Sequence, residues 1–370
     1  MPQKILASEE EPSPAREQAR TGETPSANRR EDTMKISEIA PFIGAEISDV
    51  TYDDLERQEV FDRLVESLRQ RELVVVRGLE LTPRRQIDLA ARLGKPVPFL
   101  VEKYRHPEFE EIMISSNEIR DGRPVGVARG GNFWHQDSSF VAAPAPYTML
   151  HGVNVPSTSG HTLYANASDV YDRLPEEWKK KIAGRTALAT VGKRLRIGSE
   201  HIGLSIAEFR ALADAQYPKV EHPLVREDPF TGRPYLYGAP EYLDSVIGFD
   251  ANENEAFFAI VDELVQAPEH VYTHQWTPGD LVIWKTATTY HCATEVEPGV
   301  SRTVHRISIE SDDWRAERQG GGKQRGETAG QGETAGRGEA AGREAERGGT
   351  AGGAARRGGK QRGKQRGGRR

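Results

Sequence analysis

From Glu111 to Ile309 the chain returns to short β-type runs, at Ile112 to Ser115, Tyr147 to Val155, Tyr235 to Tyr237, Leu281 to Trp284 and Thr303 to Ile309. Clusters of Gly, Pro, Asn and Asp separate these runs, so each is a strand bounded by turns. Helical spacing interrupts the pattern at Ser168 to Ile182, Ser205 to Ala215 and Asn252 to Val265. Strands drawn from distant parts of the chain, with helices inserted between them, predict a mainly β fold with helical insertions. A jelly roll fits this order, and a sandwich would read similarly.

Upstream, a strand is expected around Ala45 to Ile47. A helix follows from Asp53 to Arg71, where Leu55, Val60, Leu64, Val65 and Leu68 recur at helical spacing. Leu73 to Val76 is a short buried strand ended by Arg77 and Gly78. Thr82 is placed to cap a helix that has Pro83 in its first turn and stops at Gly94. Residues 1–33 lack apolar periodicity and are rich in Glu, Pro, Arg and Ser, so they are expected to be a disordered extension, with a domain starting at Met34. Residues 318–370 are near-repeats of Gly, Glu, Thr, Ala and Arg, a low-complexity basic tail with no apolar face to stack. One catalytic domain, 34–317, remains between them.

Ends expected to be disordered would account for only 36% of the 370 residues being hydrophobic while 29% are charged. The single cysteine, Cys292, rules out an intrachain disulfide framework and suits a reducing compartment, with the cytoplasm as the expected location. No apolar run is long enough to span a bilayer, so no membrane partner is expected. Net charge is −6, but the tail from Arg318 carries 14 basic and 5 acidic residues, which leaves −15 on residues 1–317. An acidic body argues against specific nucleic-acid binding. A homo-oligomer stays open.

The string FWHQDSSF places His135 and Asp137 two apart, and on an extended backbone alternate side chains share a face. Imidazole plus carboxylate suits ferrous iron, and one more histidine completes a two-histidine, one-carboxylate triad with open positions. By itself H-x-D also describes a hydrogen-bonded pair with no metal. The other half comes from TPGDLVIW, a turn into a strand, after which the chain bends to His291.

Taken in order, PFIGAEISDV, ELVVVRGLELTPRRQIDLAARLGKP, FWHQDSSF, SGHTLYANASDVYDRLP, HPLVREDPFTGRPYLY, TPGDLVIW and SRTVHRISI resemble the taurine dioxygenase (TauD/TfdA) family over Met34 to Ser311. The resemblance implies a double-stranded β-helix (jelly roll). It also implies a dioxygenase using iron(II), 2-oxoglutarate and O2 and releasing succinate and CO2. His135, Asp137 and His291 would then hold the metal, and Arg302 and Thr162 the far carboxylate of 2-oxoglutarate. Arg306, on the same side of an extended strand as Arg302, would contact a small anionic substrate, with Phe140 lining the pocket.

Hydroxylation, with or without cleavage, is the expected outcome; desaturation or nitrogen-centred oxidation to an isonitrile fits the same scaffold. Two readings from other classes are a zinc-dependent hydrolase and a non-catalytic jelly-roll binding protein. The sequence departs from the family where many relatives have W-D-N-R and this chain has Trp284, Lys285, Thr286 and Ala287. Lys285 in place of an acidic residue is expected to change the local ion pairs and to bear on the substrate rim. Lys193, Arg194 and Arg196 form a further basic cluster, read as solvated surface. His151, His161 and His305 lack ligand spacing and are read as supporting groups.

Overall fold

Four residues, Leu73 to Val76, show how the layers are built. Alternation sends Leu73 and Val75 into one apolar cluster with Ile43, Leu150, Tyr164, Trp276, Val282, Trp284 and Val304. Val74 and Val76 point the other way, into a second cluster with Leu55, Leu64, Leu68, Ile283 and Ile307. Both faces of this sheet are therefore buried, one under helices and one under a second sheet. Each fully buried aliphatic or aromatic side chain contributes roughly 1.5–3 kcal/mol.

The computed structural model describes residues 33–99, 101–128, 130–192 and 202–314. The sequence readings of residues 1–32, of 315–370 and of Lys193, Arg194 and Arg196 lie outside these. In spatial order the larger sheet runs Lys35–Ala40, Ile43–Ser48, Leu73–Val76, Leu281–Lys285, Tyr147–Asn154, Thr303–Glu310 and Lys95–Val97, with Met113–Ser116 also paired to the Thr303 strand. Its pairs are antiparallel, except that Ile43–Ser48 runs parallel to Leu73–Val76. The facing sheet is Tyr272–His274, Thr162–Asn166 and Thr289–Ala293, all antiparallel. These two layers are what the jelly-roll reading requires. No helix among the described residues is long and apolar enough to cross a membrane.

Two expected helices are each divided. The stretch beginning at Asp53 forms Tyr52–Glu56 and Gln58–Arg71, broken at Arg57, whose ψ is 130°. No proline or glycine marks the break. It is stabilised from elsewhere: Arg92 donates to the Leu55 carbonyl and to Gln58 Oε1, and its guanidinium stacks on Phe61. The second stretch forms Ala167–Arg173 and Glu176–Ile182, because Pro175 lacks an N–H and holds Leu174 out of the helical region. The Thr82 cap, accepting from Arg85 N–H at 3.2 Å, and the stop at Gly94 are as expected.

Candidate metal centre

His291 sits in the Thr289–Ala293 strand, and His135 is joined to it by a reciprocal pair of backbone bonds. His135 N–H donates to the His291 carbonyl at 3.0 Å, and His291 N–H donates back at 2.9 Å. Two residues 156 positions apart in the chain are thereby locked in register. Beyond this bridge the backbone is not a strand, contrary to the sequence expectation: Asp137 opens a turn in which Ser138 has φ 55°. Gln136, fully buried between the two ligands, explains the turn. Its amide N–H groups donate to the carbonyls of Ala287 and Leu236, and its oxygen accepts from Gly238 N–H at 2.6 Å.

The three side chains nonetheless converge. His135 Nε2 lies 3.7 Å from Asp137 Oδ1, and His291 Nε2 lies 3.6 Å from Asp137 Oδ2. One donor atom from each lies within 4.8 Å of the others, and all three residues are buried. The donor set fits a ferrous ion. His135 Nδ1 is 2.7 Å from the Phe133 carbonyl, which fixes the proton there and leaves the Nε2 lone pair facing the centre. Burial first, and His135 second, push His291 down to about 3, so it is a neutral imidazole near pH 7. Burial alone would raise Asp137, but Arg306, His291 and His135 outweigh it and hold the carboxyl well below its usual range. Thr148 Oγ1 donates to Asp137 Oδ2 at 2.9 Å and Arg306 Nη2 pairs with Oδ1 at 3.0 Å. A carboxylate offers about four lone-pair sites, so both contacts leave room for a metal.

Arg302 and Thr162 line the same cavity, which has a volume of about 240 Å³. Arg302 is 8% exposed, and no carboxylate among the described residues pairs with it. Its Nε donates to the Gly160 carbonyl at 2.8 Å, while its backbone N–H donates to Asn117 Oδ1 at 2.8 Å. Gly160 has φ +69°, and a Cβ there would lie 2.6 Å from Arg302 Cδ. Burial pushes the guanidinium down to about 10, with Tyr164 opposing. An unpaired buried cation is costly, and an anionic ligand is its natural complement.

The remaining wall is largely apolar. Phe99, Met113, Val127, Phe140 and Tyr242 contribute to it, and Phe140 packs on Tyr242 with ring centroids 5.0 Å apart. The sequence reading missed Tyr242, Met113, Thr148, Gln136 and Trp276. Alternation would have found Met113, which shares a strand face with Ser115, also in the wall; nothing local marks Tyr242.

Lys285 is not at the rim. Trp284 faces the cavity, so Lys285 faces the helical layer, fully buried, with Nζ 2.9 Å from Glu72 Oε2 and 2.5 Å from Asp228 Oδ2. His151 and His305 stay out of the metal cluster as read: His151 Nε2 contacts the Leu79 carbonyl, and the His305 ring meets His106.

The family model for taurine catabolism dioxygenase TauD, TfdA family, matches residues 35–308. Pentalenolactone F synthase of Streptomyces arenae is 28% identical over 302 residues, covering 76% of this chain and 99% of that protein. An alpha-ketoglutarate-dependent 2,4-dichlorophenoxyacetate dioxygenase of Burkholderia sp. (strain RASC) is 29% identical over 250 residues, covering 65% and 82%. Among solved structures, AAD-2 in complex with Mn(II) and N-oxalylglycine superposes with a TM-score of 0.62 at 20% identity, covering 76% of this chain and 98% of that one.

Proposed function

The chain belongs to the TauD/TfdA family of 2-oxoglutarate-dependent dioxygenases, and from that membership we propose that it hydroxylates a small organic anion with an apolar body. The observation that carries this reading is Arg302, buried and without a carboxylate partner among the described residues, in the same cavity as the His135, Asp137 and His291 cluster. A metal site and an unpaired guanidinium in one chamber suit a dicarboxylic keto acid. A zinc hydrolase has no task for that arginine.

His135, Asp137 and His291 are the residues that would hold iron(II). An iron(II) ion held there would activate O2, which is the oxidant: one oxygen atom would end in succinate as 2-oxoglutarate loses CO2, and the other in the hydroxylated substrate. The protein's part is binding and orientation. Arg302 presents a planar fork to the distal carboxylate of the cosubstrate, with Thr162 beside it. Arg306 has donors beyond the one given to Asp137, and these are assigned to the anionic group of the substrate. Phe99, Met113, Val127, Phe140 and Tyr242 exclude water and receive the apolar body. Asp137 is the only carboxylate in the described lining and is already committed to the metal, which disfavours an amine-bearing substrate.

The test is a mass-spectrometric screen of the full-length protein with Fe(II), 2-oxoglutarate and air. Aryloxyacids, alkyl sulfates, taurine and other sulfonates, and amine-bearing acids are the panel. The expected result is oxygen-dependent succinate together with a hydroxylated or cleaved apolar-bodied acid. Absence of oxygen-dependent succinate across the panel, or a clear preference for taurine, would count against the reading.

A further inference from the structure

Trp276 lies outside the lining of the cavity, yet it touches both residues assigned to the cosubstrate. Its indole Nε1–H donates to Thr162 Oγ1 at 3.0 Å, and the Arg302 guanidinium carbon lies 5.8 Å from the centre of its ring. The side chain is 1% exposed. We propose that Trp276 is a positioning residue for 2-oxoglutarate, setting the Thr162 hydroxyl as a hydrogen-bond donor toward the distal carboxylate while its ring holds Arg302 in place. The proposal rests on the assignment of Arg302 and Thr162 to that carboxylate.

The chemistry of the pair fixes its direction. An indole N–H only donates, so Thr162 accepts at this bond. A threonine hydroxyl has one proton to give and two lone pairs. With one lone pair engaged by Trp276, the hydroxyl proton is directed elsewhere, and an ionised carboxylate is an acceptor only. Had the neighbour been a carbonyl, Thr162 would have spent its proton on it.

The indole is held so that this role is not accidental. His274 meets its ring edge-on at 4.4 Å and is the cross-strand partner of Thr162. On another side is Gly152, where a Cβ would come within 3.0 Å of Trp276 Cε3. Gly152 is tied to the Pro278, Gly279 and Asp280 turn by two backbone bonds of 2.9 Å. The turn recognised in the sequence as a strand entry therefore also clamps the tryptophan that precedes it.

The experiment measures binding of N-oxalylglycine, an unreactive analogue of 2-oxoglutarate, to the full-length Zn(II)-loaded protein by calorimetry. Trp276→Phe keeps the ring and removes the N–H. It is expected to weaken analogue binding about tenfold with Zn(II) affinity unchanged. In a Thr162→Ser background the same loss is expected; in a Thr162→Val background Trp276→Phe should cost nothing further. Wild-type affinity in Trp276→Phe, or an equal loss in the valine background, would overturn the proposal.

If Trp276→Phe does not fold, the indole N–H resonance of Trp276 in ¹⁵N-tryptophan-labelled wild-type protein replaces it. That resonance should shift when N-oxalylglycine is added, and a resonance that stays put overturns the proposal. Arg302→Leu separates the two levels. If it abolishes analogue binding while Trp276→Phe leaves it intact, only the role of Trp276 fails. If it binds as wild type does, the cosubstrate assignment itself fails.

Discussion

At the scale of single residues, the centre is organised by side chains that touch the ligands as much as by the ligands. Thr148 is the clearest case, since its hydroxyl donates to Asp137 Oδ2 at 2.9 Å from the neighbouring strand of the larger sheet. Removing such a partner typically costs 10–100-fold in metal affinity. Thr148→Val, nearly isosteric, should therefore weaken Fe(II) or Mn(II) binding by roughly 10–100-fold while leaving the melting temperature close to wild type. Competition titration against a chelator reads this directly, and an unchanged dissociation constant would remove Thr148 from the centre. His135 and Asp137 stood out at this scale as an H-x-D pair, although the extended backbone expected to align them gives way to a turn at Asp137. Thr148 was not, because a threonine in a strand carries no local mark of the residue it faces.

Among the elements, the strand Leu281–Lys285 carries two different tasks on its two faces. Trp284 closes the metal cavity, while Lys285 enters the helical layer and meets Glu72, Asp228 and the Arg69 carbonyl. Burial raises Glu72, with Lys285 pulling it back, so the ammonium group is what keeps the acids tolerable. Lys285→Met should cost roughly 3–5 kcal/mol, because it leaves two acids buried without their counter-ion. Urea unfolding followed by circular dichroism measures this; a loss below about 1 kcal/mol would show that the cluster is not coupled to stability. The alternation that separates Trp284 from Lys285 is present in the sequence, and applying it there would have placed Lys285 away from the rim. Its acidic partners are 213 and 57 residues distant, and no local pattern identifies them.

For the molecule as a whole, buried histidines set a stability profile against pH. Burial, followed by His106 and His151, pushes His305 from its ordinary 6.5 to about 4. Burial is also the leading cause that lowers His151, His222 and His274. A base with a depressed folded-state pKa is protonated first in the unfolded chain. The stability it contributes is complete above about pH 6.5 and is lost as pH falls toward about 4. His305 by itself should account for on the order of 2 kcal/mol between pH 7 and pH 5. The urea midpoint should fall over that interval, and His305→Gln should flatten the fall. Equal midpoints at the two pH values, or an unchanged slope in the variant, would contradict this.

Local physics in the sequence determined strands such as Leu73–Val76 and Leu281–Lys285, the Thr82 cap and the stop at Gly94, because periodicity and capping act over a few residues, while the set of His135, Asp137 and His291 came from the order of motifs along the chain. Tertiary structure decided the rest. The break at Arg57 depends on Arg92 reaching the Leu55 carbonyl, and the turn at Asp137 depends on Gln136 bonding to Ala287, Leu236 and Gly238. The sequence named His135 and His291 as partners, but the paired backbone bonds that bring them together form only when two distant segments meet across the facing sheet.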